Sequence, residues 1–335
     1  MPSEEKFSLP KAIIEARKHY LEYENPFGAP KEERFHWVTD YDLPRRHETI
    51  FFASCMNPLM GYAESLLKYE KTLSKLGIGM DKMIALGKIA QKLKLDKVMS
   101  SIKSLNKEYG ATLAHAIELL KEMGIEFGFL YEEEPCCGGG LHTYGFLEDF
   151  AERAKSVYQF LKDRGVKRII TINPVCGAIF KHYYPEYVEG FDIEVKHITE
   201  IIFEYMQKND IRLKASKERT VVFHDPCYLA RYMNITEEPR EILKRIDGLK
   251  LVEPVNNRLA TKCDGGGGVE VVYPKLARRI AVDRYQELVD TGADLVVTAC
   301  APCVMMLRIG RDLLGRNEEI MDIVDVVYYA MKGQL

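Results

Sequence analysis

The sequence predicts an α/β protein made of two half-domains of one design, each with a small parallel sheet. Three observations support this prediction: an internal repeat, strand patterns that run directly into cysteine-containing turns, and helical patterns that precede some of those strands. Alternation of helices with short buried strands is typical of parallel sheets covered by helices. Ligand sites in such folds lie beyond the carboxyl ends of the strands, which is where the cysteines stand.

The repeat has an offset of 127 residues, which separates Cys136 from Cys263. The same offset carries Cys176 onto Cys303 and one glycine run onto another without a gap. It also lays RIITINPVC over LVVTACAPC, so each half predicts a strand that enters a cysteine turn. Similarity at a fixed offset indicates repeated structural units.

A second pair of segments places the remaining cysteines. TIFFASC, which ends at Cys55, resembles TVVFHDPC, which ends at Cys227, and both are short strand patterns that stop at a cysteine. Clustered cysteines in a chain of this size bind metal or carry out redox chemistry more often than they form disulfides, and four is a common ligand count. The predicted metal ligands are Cys55, Cys136, Cys137 and Cys176 at site 1, and Cys227, Cys263, Cys300 and Cys303 at site 2.

Helical patterns lie between the glycine runs and the last cysteines. The segments 147–165 and 274–292 carry apolar residues at helical spacing, and each ends in glycine. We predict an N-terminal extension over 1–48, a first half over 49–200 and a second half over 201–335.

The first half carries extra chain between Cys55 and Cys136. Most of it, from about 61 to 109, is a helical pattern rich in lysine, leucine and methionine. We expect an inserted helical hairpin that covers the sheet, because amphipathic helices usually pack on their own domain. The alternative is a docking surface or a lid over the first site.

The two halves differ at one ligand position each. Asn173 stands where the second half has Cys300, and Asp264 stands where the first half has Cys137. Each half thus keeps four cysteines of a potential five. Asp264 is a candidate fifth ligand, although a carboxylate is a harder ligand than a thiolate.

Composition excludes several classes of function. The formal net charge is -3, and no basic run is present, so nucleic-acid binding is not expected. No secretory pattern and no apolar run long enough for a transmembrane segment appear, which favours a cytoplasmic protein, with membrane association only through partners. No dinucleotide-binding or Walker motif appears, so NAD and ATP are not expected.

Four motifs together resemble the CCG cysteine-rich domain family, which includes the B and D subunits of heterodisulfide reductase. The motifs are PCCGGG at 135–140, KCDGGGG at 262–268, HDPC at 224–227 and CAPC at 300–303. The resemblance implies two pseudo-symmetric Rossmann-like half-domains with metal sites at the strand ends. It also implies an oxidoreductase subunit that acts on a disulfide or persulfide as part of a complex. The implied cofactors are two 4Fe-4S clusters, cubane or non-cubane, with zinc as an alternative at site 1.

The resemblance also suggests partners. ENPFGAP at 24–30 is similar to the segment that joins a ferredoxin-like domain to CCG domains in fused relatives. This implies a separate ferredoxin-like iron-sulfur subunit (HdrC-like) as electron donor, and a flavoprotein subunit as a further candidate partner. Two alternatives stay open: a non-catalytic electron-transfer subunit of a flavin dehydrogenase and quinone system, and a structural zinc protein.

Other residues near the motifs are candidates for supporting roles. His224 and His142 are candidate catalytic residues, because either can donate a proton to a departing thiolate. Glycines leave room for bulky cluster sulfides, and their amides can hydrogen-bond cluster sulfur. The glycines expected to do so are Gly138, Gly139, Gly265 and Gly266.

Overall fold

Two four-stranded sheets, both fully parallel, form the centre of the molecule. The computed structural model describes residues 9–38, 41–75 and 96–335. The first sheet has the order β2-β1-β3-β4 and the second the order β6-β5-β7-β8, so one topology occurs twice. This confirms the predicted fold of two pseudo-symmetric α/β halves. The strands are β1 (Thr49–Phe52), β2 (Gly128–Phe129), β3 (Arg168–Thr171), β4 (Glu194–His197), β5 (Leu213–Phe223), β6 (Ile246–Val252), β7 (Leu295–Thr298) and β8 (Glu319–Asp322).

Helices cover these sheets and explain the apolar strand sequences. Ile50, Phe51 and Phe52 are all buried, as expected for parallel strands that are covered on both faces. The repeat offset is conserved in the structure, because β3 and β7 begin 127 residues apart. The helices are α1 (Lys11–Tyr23), α2 (Met60–Lys75), α3 (Asp96–Glu122), α4 (Gly139–Thr143), α5 (Leu147–Asp163), α6 (Pro174–Ala178), α7 (Tyr184–Tyr187), α8 (Ile198–Lys208), α9 (Glu237–Lys244), α10 (Val269–Val272), α11 (Pro274–Val289), α12 (Ala301–Leu313) and α13 (Ile323–Met331).

The two predicted helices between glycine runs and cysteines are α5 and α11. Each is followed by a glycine with a left-handed backbone, Gly165 at φ +74° and Gly292 at φ +80°. Glycine adopts this conformation without the steric cost that a Cβ brings, so it terminates a helix well. The sequence pattern therefore predicted both helix ends correctly.

The two halves share a hydrophobic core. One cluster of buried side chains joins Phe51 and Ile170 of the first sheet to Val221 and Val297 of the second. The predicted boundary between the halves, at residues 200 and 201, lies within α8. The division into two separate domains stays a prediction, and the shared core means that neither sheet is fully buried by its own half.

The helical insertion packs on the opposite half. Its described parts are α2 and α3, and residues 76–95 lie outside the described residues. The backbone carbonyl of Leu67 accepts a hydrogen bond from Arg278 at 2.6 Å, and His115 contacts Asp325 at 2.7 Å. Side chains of α2 and α3 also join a buried cluster with Val222 of the second sheet. The expected hairpin thus covers the sheet of the second half rather than only that of its own.

The N-terminal extension contributes α1, which lies between the two halves. It packs against α4 of the first half and α10 of the second. Arg17 forms an ion pair with Asp149, which holds the helix against α5. In the part of the chain that the structure describes, no helix combines the length and apolar character needed to cross a membrane.

Candidate metal centres and the cavity between them

The four cysteines of site 1 follow the ends of three neighbouring strands. Cys55 comes after β1, Cys136 and Cys137 after β2, and Cys176 lies in α6 after β3. Strand order reverses between β1 and β3, so the loops there diverge and leave a crevice at the carboxyl edge. All four cysteines are buried, free thiols.

Short sulfur contacts define site 1. The Sγ atoms of Cys55 and Cys136 are 3.5 Å apart, and those of Cys137 and Cys176 are 3.2 Å apart. The amide of Gly138 points at Cys136 Sγ over 3.4 Å. A Cβ at Gly139 would lie 3.4 Å from Cys137 Sγ, so the backbone passes directly beside the sulfurs. The two predicted glycines of site 1 thus lie beside cysteine sulfur, and their role towards a cluster stays a prediction.

Asn173, at the position of a fifth cysteine, serves as a helix cap. Its Oδ1 accepts hydrogen bonds from the amides of Val175 and Cys176, at 2.9 and 3.4 Å. Its Nδ2 donates to Asn57 Oδ1 at 2.7 Å. An asparagine at this position satisfies amides at the start of α6 that would otherwise lack partners. This use of both side-chain atoms leaves Asn173 poorly placed to act as a ligand.

A buried ion pair lies beside site 1. Arg34 Nη2 donates to the backbone carbonyl of Glu134 at 3.1 Å and lies 3.4 Å from its carboxylate. Neither side chain is exposed, and Nε and Nη1 of Arg34 have no hydrogen-bond partner among the described residues. Burial raises the pKa of Glu134 to about 7. The Arg34 charge acts to lower the pKa of the neighbouring Cys55 thiol, which its contact with Cys136 and its burial nevertheless hold well above the usual value.

Site 2 repeats this arrangement at the edge of the second sheet. Cys227 follows β5, Cys263 follows β6, and Cys300 and Cys303 flank the start of α12 after β7. Cys300 and Cys303 are buried, Cys227 is half-buried, and Cys263 is exposed. The amide of Gly265 points at Cys263 Sγ over 3.3 Å, as its repeat partner does at site 1.

Asp264 is held by a buried chain of hydrogen bonds. Its Oδ2 accepts from His224 Nε2 at 3.0 Å, and its Oδ1 accepts from the Gly266 amide at 2.9 Å. Arg284 Nε donates to His224 Nδ1 at 3.0 Å, which fixes the neutral imidazole with its proton on Nε2. Burial lowers the pKa of His224, while its hydrogen bond to Asp264 acts in the opposite direction. Hydrogen bonds with His224 and Cys303 help to lower the pKa of Asp264, although its burial opposes this.

The donor sets fit a metal or an iron-sulfur cluster. Burial raises the pKa of the Cys303 thiol well above its usual value, and contact with Cys136 raises that of Cys137. Several thiols gathered in a buried space ionise together only beside positive charge, which a bound metal supplies. His224, Asp264 and Cys303 also bring three potential ligand atoms within 4.8 Å of one another. Both Asp264 oxygens already accept hydrogen bonds, so its role as a fifth ligand stays a prediction.

A cavity of about 150 Å³ lies between the two halves and opens onto site 2. Its walls include all four cysteines of site 2, whereas no cysteine of site 1 is among the described lining residues. Gly139 and Asn173 separate the cavity from the first site. On the other sides it is closed by Phe27 of the extension and by Leu66 of the helical insertion. The extension and the first half thus form the wall that faces the second site, and this wall, which includes Phe27 and Leu66, is called the roof below.

The two predicted catalytic histidines lie outside the cavity lining, as far as the described residues show. His224 is buried behind Asp264, where it can orient that carboxylate. His142 lies on α4 with its ring 4.0 Å from that of Tyr183, and burial lowers its pKa. Their direct catalytic roles stay predictions, and His224 is better placed as a positioning residue.

Sequence reasoning missed four residues beside the sites. Arg34 and Tyr20 come from the N-terminal extension, which carries no cysteine motif. Arg284 belongs to α11, whose pattern predicted packing only, and Glu270 lies in α10, a short helix that was not predicted. A charged residue within an otherwise apolar face is the available signal, and Arg284 in LARRIAVDRYQEL does not stand out among the other charges there.

Comparison with known proteins gives matches in both halves. The family model of the cysteine-rich CCG domain matches residues 103–181 and 221–308. The D subunit of dihydromethanophenazine:CoB--CoM heterodisulfide reductase from Methanosarcina acetivorans is 35% identical over 64% of this chain and 53% of its own length. The probable iron-sulfur-binding oxidoreductase FadF of Bacillus subtilis is 32% identical over 64% of this chain and 31% of its own. The EtfAB:quinone oxidoreductase of Syntrophomonas wolfei is 28% identical over 64% of this chain and 31% of its own length.

The matched part of the chain spans about half the length of the first of these relatives and less of the others. Among solved structures, a hypothetical protein from Helicobacter pylori superimposes with a TM-score of 0.51 at 14% identity, over 66% of this chain and 45% of that one. At this level of identity the likeness concerns the fold alone.

Proposed function

Because the chain belongs to the CCG cysteine-rich domain family, we propose that it is an iron-sulfur redox subunit that reduces or oxidises a disulfide or persulfide. The observation that carries this proposal is the cavity that reaches all four cysteines of site 2. A purely structural metal site is closed on all sides by its ligands and their neighbours. A centre bound by the cysteines would fill the end of the cavity that they line, and the remainder, which extends to Phe27 and Leu66, offers space for a reacting molecule.

Site 2 is the proposed reaction centre and site 1 the proposed relay. A cluster held by the four thiolates of either site supplies one-electron transfer when it is bound. The Gly138 and Gly265 amides, which point at cysteine sulfur, stabilise negative charge on it and so raise the reduction potential of each site. Arg284 and His224 hold the Asp264 carboxylate in one orientation beside Cys303.

Electrons are proposed to enter from a partner subunit. Cys263 is exposed, so site 2 extends to the molecular surface at that ligand. A ferredoxin-like iron-sulfur subunit that docks there has a short path to the reaction centre. The relatives whose names describe a heterodisulfide reductase component and a quinone oxidoreductase support a role within a larger redox system.

One alternative function is favoured by a specific observation. The relative named EtfAB:quinone oxidoreductase supports a subunit that passes electrons towards a quinone without acting on sulfur itself. The apolar cavity is compatible with a quinone head group as well as with a disulfide. Reoxidation of the reduced protein by disulfides, compared with quinones, separates these two functions.

Metal analysis tests the proposal most directly. Anaerobically purified protein is expected to contain about eight irons with matching sulfide, and an oxidised-state electron paramagnetic resonance signal that responds to thiol. The matched variants are Cys303→Ser at site 2 and Cys176→Ser at site 1. Each is expected to lose about half of the iron, and only Cys303→Ser should lose the thiol-responsive signal. Zinc in place of iron at both sites, without sulfide, would refute a redox function.

A further inference from the structure

The cavity lining carries two acids and no base. Among the described residues that surround it, Asp264 and Glu270 are the ionisable acids other than the cysteine and tyrosine side chains, and no lysine, arginine or histidine is present. The opposing wall, from the extension and the first half, is formed by apolar side chains such as Phe27, Leu66 and Val175. An anion placed here would lose its water without gaining a positive partner, and the Asp264 carboxylate would repel it.

We propose that this cavity binds an uncharged, apolar disulfide, and that it excludes disulfides that carry sulfonate, phosphate or carboxylate groups. The inference rests on the proposed function and adds the substrate class. Apolar walls gain from contact with alkyl or aryl groups, because such groups leave water when they enter. A centre held by the site 2 cysteines would fill their end of the cavity, so the disulfide binds in the remainder, between Phe27, Leu66 and Val271, with its sulfurs facing that centre.

The electrons and protons of the reaction balance when the iron-sulfur partner subunit is the electron donor. Two electrons arrive one at a time from the reduced iron-sulfur partner, and two protons arrive from solvent. The S–S bond breaks and two S–H bonds form, so one disulfide gives two thiols and the partner is oxidised by two electrons. No other reactant is required.

A set of disulfides that differ in charge tests the substrate class. Dipropyl disulfide is uncharged, dithiodiglycolate is a dianion and cystamine is a dication at neutral pH. Binding is measured on the anaerobic protein with full iron content, from the shift of its thermal unfolding temperature, and turnover from the oxidation of a reduced viologen. We expect dipropyl disulfide to bind at least about tenfold more tightly than either charged compound.

A new cation in the cavity wall provides the matched test. Val271 lines the cavity and is only half-buried, so a lysine can be accommodated there. Val271→Lys is expected to improve binding of dithiodiglycolate several-fold and to weaken binding of cystamine, whereas Val271→Met should change neither. Leu66→Lys introduces the same charge from the opposite wall. It replaces Val271→Lys in this experiment if that variant does not fold, and the same changes in binding are expected.

The outcomes separate the inference from the proposed function. Preference of the unmodified protein for either charged disulfide would overturn the inference and leave the function standing. Failure of all three disulfides to bind or turn over, with full iron at both sites, would overturn the function as well. Reduction of a neutral quinone such as menadione under those same conditions would favour the electron-transfer alternative.

A second observation, the hydrogen bonding of Glu270 in the same cavity, concerns the proton supply. Glu270 lines the cavity, and its Oε2 accepts a hydrogen bond from the Gly268 amide at 2.7 Å. It faces Asp264 on its own half and Tyr144 on the first half. We infer that Glu270 donates a proton to the thiolate released in the cavity. Burial raises the pKa of Glu270 to about 7, so the carboxyl keeps its proton near neutral pH.

The pH profile of the Glu270→Gln variant tests this role. With the native residue, turnover is expected to fall as pH rises through about 7, because the deprotonated carboxylate cannot donate. Glu270→Gln should be slower by about 100-fold or more and should lack this limb of the profile. Glu189→Gln, at an exposed position, is the control.

Infrared spectroscopy of the resting protein measures whether the Glu270 carboxyl is protonated, which a purely structural role does not require. Carbonyl absorption of protonated carboxylic acids is expected at neutral pH from Glu270, Glu134 and Asp322, and Glu270→Gln should remove the Glu270 component alone. An unchanged pH profile, or an unchanged band, would show that Glu270 only caps α10.

Discussion

His224 Nε2 donates a hydrogen bond to Asp264 Oδ2 over 3.0 Å, at the position where the first half carries Cys137. The substitution of a thiol by a carboxylate in the repeat is thus accompanied by a histidine that holds it. Arg284 in turn fixes the imidazole, and both side chains are almost fully buried. A buried polar chain of this kind is stable because every member has a partner. It gives site 2 an electrostatic environment that site 1 lacks.

Asp264→Asn is expected to keep the iron of site 2 and to raise its reduction potential. Four thiols remain as ligands, and the amide oxygen can keep one of the two hydrogen bonds, from Gly266 or from His224. The other is lost, because Arg284 holds the imidazole proton on Nε2 and an amide nitrogen cannot accept it. Loss of a nearby negative charge favours the more negative, reduced state of the centre. Redox titration followed by electron paramagnetic resonance measures the shift, with Asp283→Asn at an exposed position as control. Loss of the site 2 iron would show instead that Asp264 is a required ligand.

Arg34→Met is expected to lower the free energy of unfolding by about 3–5 kcal/mol, because it leaves the buried Glu134 without its partner. The double variant Arg34→Met with Glu134→Gln should recover much of this loss, since no buried charge then remains. Urea unfolding of the single and double variants measures both effects. Equal destabilisation in the two proteins would contradict this account and place the effect in the contact between Arg34 and site 1.

Asp322→Asn is expected to reduce the pH dependence of stability. Burial raises the pKa of Asp322 to about 8 from 3.8. The native state therefore holds a proton that the unfolded chain has lost above about pH 4. The stabilising contribution of this proton is complete below pH 3.8 and declines as pH rises to about 8.

Asparagine can still accept the Val324 amide that Asp322 caps, so the helix start is preserved. The variant is expected to be more stable than the unmodified protein at pH 8, by about 1–3 kcal/mol after allowance for relaxation at a buried site. Urea unfolding at pH 6 to 8 is the measurement. Part of the slope should remain, because Glu134 and Glu270 have shifts of the same sign. An unchanged slope would mean that Asp322 is ionised in the native state.

Gly140→Ala is expected to destabilise the protein by about 1–3 kcal/mol and to displace α1. A Cβ at Gly140 would lie 2.1 to 2.3 Å from the ring of Tyr20, which packs across α4. Combination with Tyr20→Ala should cost less than the sum of the two single changes, since the clash disappears. Thermal unfolding of the three variants measures this coupling, and strict additivity would contradict the close contact.

The repeat allowed the fold to be predicted because both halves keep the same spacing from the glycine turn to the last cysteine. Strand ends place Cys55 and Cys227 at the sheet edge directly, without help from distant packing. The surface against which the inserted helices pack could not be predicted in this way. An amphipathic pattern such as that of α2 specifies that one face is buried, but it does not say against which surface. Glu270 was missed for a related reason, since its importance depends on a cavity formed by both halves.

The roof over site 2 has a consequence for how specificity can change. Leu66 belongs to an insertion within the first half, yet it closes the cavity that the cysteines of the second half border. Substitutions in this insertion can alter which molecules enter without touching a ligand, a cluster-facing glycine or the polar chain at Asp264. A chimera that receives only the second half of a relative would therefore inherit the reaction centre while retaining the selectivity of its original roof. On the proposed function, part of the substrate choice therefore lies in a segment that holds no cysteine, and that part can be engineered without changing the ligands.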